Sequence, residues 1–174
     1  MPQSQNGKDR TRRSQSNLIG LNWLFPLVLL GSAVFVWLTS LSLPEYVASH
    51  FVSSGQANGF MPRIIYVRLM VVMVVVAPFL MAYLPSLSLN KPDARINLPN
   101  REYWLSPERR QETINKISRS MKGAALFMAV FLSYVHWLVV KANAITPPLL
   151  STPSIISAIV MFIIQCSHAI KSFT

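Results

Sequence analysis

The chain has 174 residues, of which 52% are hydrophobic and only 13% charged, with a formal net charge of +10. A soluble domain carries about 25% charged residues, so this composition argues against an ordinary soluble domain and for a membrane protein. The length suits one compact unit without a second globular domain of ordinary size, and the single cysteine, Cys166, can form neither an internal disulfide nor a cysteine-based metal site alone.

In chain order, residues 1–17 (MPQSQNGKDRTRRSQSN) are polar and lack periodic apolar positions, which predicts a disordered basic tail. Leu18 to Leu41 follows as the first of four segments apolar enough to cross a hydrocarbon core, which takes about 20 helical residues. This run exceeds the roughly 7 to 15 residues of a signal-peptide core, and no A-x-A-like site follows it. It is expected to remain as an anchor. Gly31, Ser32 and Ala33 thin its middle, and Pro26 is a candidate kink, as Pro78 is in the second span.

The stretch LPEYVASHFVSSGQANGFMPR, Leu43 to Arg63, joins spans one and two and reads as a turn-rich loop. The second span runs from Ile64 to Leu84. Beyond it, NKPDARINLPN is a proline-punctuated connector, and REYWL brings an aromatic pair to the membrane interface. Ser106, Pro107 and Glu108 then form a helix start: a side-chain acceptor, a fixed φ and an anion at the positive end of the dipole. Ile114, Ile117 and Met121 at helical spacing, with Glu112 four residues before Lys116, predict an amphipathic helix lying along the membrane surface before the third span.

The third span is Gly123 to Val140 and the fourth Thr152 to Ile170, the latter with Thr152 as N-cap and Pro153 at the first helical position. Small residues let backbones approach closely in lipid. Ala125, Ala129 and Ser133, spaced by four, Ser154 with Ala158, and Gly31, Ser32 and Ala33 of span one are therefore expected to face the bundle interior. The fold class that results is an all-α membrane protein: four transmembrane helices with a short cytoplasmic amphipathic helix before the third.

Orientation follows from lysine and arginine, which are retained on the cytoplasmic side of membrane-spanning ends. The N-terminal tail, the connection between spans two and three and the C-terminus hold most of them, whereas the other two connections offer only Arg63 and Lys141, with Arg68 slightly inside span two. Both termini are thus expected in the cytoplasm and the loop 43–63 outside. Trp23 and Trp104 would then mark the inner interface and Trp37 and Trp137 the outer one. Topology accounts for the positive charge, so nucleic acid is not needed as a partner, while attraction to anionic lipid follows at about 1 kcal/mol per basic residue.

Ionisable residues at membrane depth are costly and often functional. Arg68 and His136 lie toward the outer ends of their spans, His168 near the inner end of the fourth, and Glu45, His50, Arg63 and Lys141 could join the first two at the outer mouth. Against a ligand or ion site there, Arg68 can snorkel to the headgroups. His50 and His136 fall short of a zinc set without a third ligand, so no metal or other cofactor is expected. The spans contain no Asp or Glu for a proton relay. No Gly-rich phosphate loop, G-x-S-x-G elbow or H-E-x-x-H is present, and Ser133 near His136 lacks an orienting third group, so an enzyme is not expected. Tyr103, Trp104, Arg109 and Arg110 form either a docking surface for a cytoplasmic partner or a spacer resting on lipid; lipid alone satisfies such a segment.

The pattern LPEYVASHFVSSGQANGF resembles the signature loop of a bacterial family of unknown function that includes the N-terminal region of the Sdp-type bacteriocin immunity protein. The resemblance falls on Pro44, His50, Phe51, Gly55 and Gly59, and LPNREYWLSPERRQET resembles a segment after the second span of small membrane proteins of that kind. The glycines suit turn positions with positive φ, and Pro44 would end span one. The resemblance implies a non-enzymatic binding or immunity-type module in which His50, Phe51 and their neighbours capture a peptide, lipid or protein. The alternative is an accessory subunit of a larger membrane complex, or a homo-oligomer, held through the small-residue faces.

Overall fold

The computed structural model describes residues 23–89 and 101–171, apart from the side chains of residues 86, 88, 89, 101, 165, 166 and 168–171. The expected basic tail, the start of span one, the connector 90–100 and the side chain of His168 lie outside this description. Helix α1 covers 23–39 and closes in a 3-10 turn, Ser40–Ser42. Leu43 is extended, with φ −75° and ψ 146°, as a residue before proline prefers, so Pro44 follows the end of the helix as expected. Strands β1 (Tyr46–Phe51) and β2 (Ala57–Pro62) follow, then α2 (Arg63–Leu89), a single turn α3 (Arg101–Trp104), α4 (Arg110–Asn143) and α5 (Thr152–Lys171).

Three stretches, Trp23–Ser42, Arg63–Pro85 and Arg110–Asn143, are long and apolar enough to cross a membrane. Their side chains carry the same message: Leu30, Val34, Leu69, Val72, Phe79 and Val130 are all exposed, so apolar surface faces outward as well as inward. A helix that is apolar on every side needs lipid as its solvent, and the backbone groups are satisfied within the helix. The chain is a helical membrane protein. The apolar part of α5 covers Thr152–Ile164 among the described residues.

Small residues make the interior, as expected for the third span. Ala125 and Ala129 of α4 are fully buried and cluster with Phe25 and Leu29 of α1 and Ala82 of α2. Ser133, the next in the series, donates to the Ala129 carbonyl at 2.8 Å. In α1 the expectation holds for Ser32, which is buried, but Gly31 faces outward. Helix α5 packs on α4 through a Tyr134–Ser157 hydroxyl hydrogen bond of 2.6 Å and the Phe131–Phe162 ring contact.

Two expectations are corrected. The fold is not purely helical, because the loop after span one is an antiparallel β-hairpin. The segment before span three does not form a separate surface helix: it runs without interruption into the span as the 34-residue helix α4. The start at Ser106 is also shifted, since Ser106 to Arg109 form a turn whose Ser106 carbonyl accepts from the amides of Arg109 and Arg110, both at 2.9 Å. Continuity is physically reasonable because no proline or glycine interrupts Arg110 to Lys122, and each residue can propagate the helix it adjoins.

Candidate functional site at the hairpin end of the bundle

A turn through Val52, Ser53, Ser54, Gly55 and Gln56 closes the hairpin. Gly55 has φ +84°, a left-handed conformation that other L-residues adopt only at a cost, and its amide donates to the Val52 carbonyl at 2.8 Å. The second glycine acts differently from the expectation. Gly59 has no positive φ; it sits across the ladder from His50, where an added Cβ would stand 2.9 Å from the His50 Cβ. The ladder is irregular between Ala48 and Phe51, where the register shifts on either side of His50; Val47 and Ala48, which alternate faces, are both buried.

The hairpin is fastened at four places. Its inner face buries Val47 in a cluster with Leu43, Tyr66 and Val139, against which Phe51 and Met61 pack. At the free edge of β1, the Asn143 amide takes the place of a neighbouring strand: Oδ1 accepts from the Ala48 N–H at 2.9 Å, and Nδ2 donates to the Ala48 carbonyl at 3.0 Å and to the Val139 carbonyl at 2.9 Å. The connection between α4 and α5 meets the turn, with the Leu150 N–H donating to the Gly55 carbonyl at 2.8 Å and Gln56 bridged to Leu149. At the base, the Arg63 N–H donates to the Glu45 carbonyl at 2.8 Å and its guanidinium to the Leu43 carbonyl at 2.9 Å.

Asn143→Asp should test the edge contact, since it keeps the acceptor for Ala48 and replaces the donor with a second acceptor. Losing two donated hydrogen bonds should speed amide exchange in the hairpin by roughly ten-fold or more. Hydrogen–deuterium exchange of a peptide spanning 43–52 is the measurement; unchanged protection would show that Asn143 does not hold the strand.

Beneath the hairpin lies a polar link between three helices. His136, fully buried on α4, has Nδ1 3.0 Å from the Tyr66 hydroxyl of α2 and Nε2 2.8 Å from Thr39 Oγ1 of α1. Thr39 also donates to the Phe35 carbonyl at 2.6 Å. Every group is satisfied when Tyr66 donates to Nδ1, Nε2–H donates to Thr39 and Thr39 donates to Phe35, which is a neutral imidazole. The Tyr66 ring stacks on the imidazole at 5.7 Å and Phe35 meets it edge-on at 6.1 Å. The order hydroxyl, imidazole, hydroxyl has the outline of a nucleophile with its base and orienter. The Thr39 proton, however, is directed to a carbonyl and not to the imidazole.

The structure therefore divides the residues expected at one outer mouth. His50 is exposed on β1, Phe51 is half-buried and serves packing, and Glu45 is exposed at the hairpin base. Arg63 and Arg68 line a separate groove. Lys141 lies over the Trp137 ring at 5.4 Å. His136 departs most from the expected grouping: both ring nitrogens have partners inside the bundle, so it does not join the exposed residues near the hairpin. Among the described residues no group of three or more His, Cys, Asp or Glu side chains is placed to hold a metal ion.

Thr39, Tyr66 and Asn143 were not singled out from the sequence. Each is an ordinary polar or aromatic residue near a span end, and only the fold reveals that they share partners across about 70 to 97 positions of chain. At the other end of the molecule, Tyr103 and Trp104 meet edge to face at 5.2 Å; the Arg109 guanidinium lies 4.0 Å from the Tyr103 ring centroid and Lys116 5.3 Å from that of Trp104. Thr113 donates to the Trp104 carbonyl at 2.7 Å, and Arg110 is half-buried. These residues fold α3 onto the start of α4.

Fold and site together define a small helical membrane protein with a β-hairpin fixed across one end of its helices. Comparison with protein-family models, curated proteins and solved structures finds no match to the chain.

Proposed function

We propose that the chain is a non-enzymatic binding module of the immunity type, spanning the membrane four times with both termini in the cytoplasm and the hairpin outside. Helix α5 supplies the fourth span, the amphipathic start of α4 lies at the cytoplasmic side, and the basic residues of the tail and central connection hold that orientation. The resemblance of residues 43–60 to the bacterial signature loop supports this reading and a place in the inner membrane.

The observation that carries it is the contrast between how the hairpin is held and what it displays. Its inner face, edge, turn and base are all fastened, while Tyr46 and Phe60 are 63% and 57% exposed and His50 and Asn58 are exposed beside them. Aromatic side chains bring large contact area at little entropy cost, and rigid presentation lowers the ordering cost of association. The partner is a protein or peptide met at the extracytoplasmic face. Phe51, which the resemblance offered as a capture residue, here serves the scaffold; Tyr46 and Phe60 take the contact role.

A photoreactive phenylalanine at Phe60, activated in native membranes, tests the reading. A discrete protein or peptide adduct is expected, and Tyr46→Ala together with His50→Ala should reduce it by about ten-fold or more, the loss typical of interface anchors. Adducts to lipid alone, or a yield indifferent to the two substitutions, would reject it.

The accessory-subunit reading is favoured by one observation of its own. An open groove of about 560 Å³ runs between α1 and α4, lined by Gly31, Ser32, Phe35, Val130, Ser133 and Trp137 among others. Small residues beside aromatic walls suit the approach of another transmembrane helix. Copurification in mild detergent at fixed stoichiometry would support this role, and a fully functional monomer would count against it.

A further inference from the structure

A second groove, of about 360 Å³, opens at the hairpin end between α1 and α2. Trp37, Ser40 and Leu41 form one wall; Arg63, Ile64, Val67 and Arg68 form the other. At about 100° per residue, Val67 and Ile64 fall between Arg63 and Arg68 around α2. The apolar pair is thus the floor and the two arginines are its flanks. The five-residue separation places Arg68 about 7.5 Å deeper along the helix than Arg63.

Three features of this groove belong together. Neither guanidinium meets a carboxylate among the described residues, and Glu45 is the only acidic residue between Asp9 and Asp93. Arg63 uses one N–H group for the Leu43 carbonyl and keeps others. Ser40, only 3% exposed, has a hydroxyl with no hydrogen-bond partner among the described residues, which is costly for a buried polar group. Two cations without a carboxylate partner among the described residues therefore border a surface that is otherwise apolar and faces the hydrocarbon.

The geometry points to a binding site for one anionic glycerophospholipid. Its phosphodiester lies between Arg63 and Arg68, and an acyl chain follows Val67 and Ile64 against Trp37. Guanidinium groups suit phosphate because their planar donors match its oxygens. A zwitterionic lipid brings its own cation to a site that already holds two, so selectivity for the anionic headgroup follows. The site rests on the membrane-spanning reading and not on the hairpin platform, so either can fail while the other stands.

The test is native mass spectrometry of the full chain in mild detergent, titrated with phosphatidylglycerol or phosphatidylcholine of identical acyl chains. One phosphatidylglycerol per chain should be retained at about ten-fold lower concentration than phosphatidylcholine, a preference on the scale of one charge-assisted hydrogen bond. Arg68→Gln, at an exposed position, should abolish the preference. Ile64→Trp, which fills the floor, should reduce retention of both lipids. Lys141→Gln, which removes a charge from the same end of the bundle outside the groove, should leave the preference intact. Millimolar inorganic phosphate should not displace the lipid. Equal retention of the two lipids, an equal effect of Lys141→Gln, or displacement by phosphate alone would overturn the proposal.

Discussion

His136→Ala should cost the bundle about 3–5 kcal/mol, combining a cavity where a fully buried ring stood with the loss of two interhelical hydrogen bonds. For a chain of this size, that is a fall of roughly 10 °C in the thermal midpoint. The size of the effect comes from position: the imidazole hydrogen-bonds from α4 to both α1 and α2. Two further variants separate packing from polarity. His136→Phe refills the volume without either hydrogen bond and should recover part of the loss, leaving about 1–3 kcal/mol. Tyr66→Phe removes one partner and keeps the ring stack, so its cost should be smaller still. Fluorescence-detected size exclusion after heating in mild detergent is the measurement. A His136→Phe protein as stable as the parent would mean that the link is packing alone.

That link also shows how far the sequence could be read. The apolar runs were legible because a residue exposed to lipid must be apolar whatever its neighbours, so composition located three membrane-length helices, the first two near their observed bounds; the third begins thirteen residues earlier, at Arg110, because its polar first turns continue the same helix. Ala125 and Ala129 were legible as interior because their spacing of four repeats on one helix face. The hairpin was not legible as strands. In YVASHF the buried positions Val47 and Ala48 are adjacent, and the irregular register before Phe51 destroys the alternation of period two by which a strand is recognised.

The ionisable residues divided along a similar line. Arg68 and His136 were both visible as polar groups at membrane depth, yet depth does not say which way a side chain points. One lies in an outward groove, the other in the core with its valences filled by residues 97 and 70 positions away. Gly55 was readable as a left-handed turn residue, whereas the reason for Gly59, room for the His50 side chain, depends on cross-strand register.

Gly55→Ala should be the most damaging change at the hairpin while leaving the helices formed. The substitution forces an alanine to φ +84° and drives its Cβ into the Leu150 carbonyl, a main-chain atom that cannot rotate aside. The left-handed conformation alone costs about 1–2 kcal/mol. Relieving the collision separates the turn from the 144–151 connection, with loss of the Leu150 N–H to Gly55 hydrogen bond, for a local total on the order of 3 kcal/mol. Hydrogen exchange in the hairpin should accelerate by about two orders of magnitude, with helical circular dichroism unchanged. Gly59→Ala needs no positive φ but brings its Cβ to 2.9 Å from the His50 Cβ, which is fixed to the strand, so the ladder must shift there; with no strained φ and no collision with a carbonyl, it should be milder than Gly55→Ala. Because Tyr46, His50 and Phe60 remain chemically intact in Gly55→Ala, its effect on the photo-adduct at Phe60 isolates rigidity from contact chemistry. A marked loss of adduct is expected if the platform works by being held in place. Full adduct yield from a loosened hairpin would show that the partner recognises the side chains without requiring the fold that presents them.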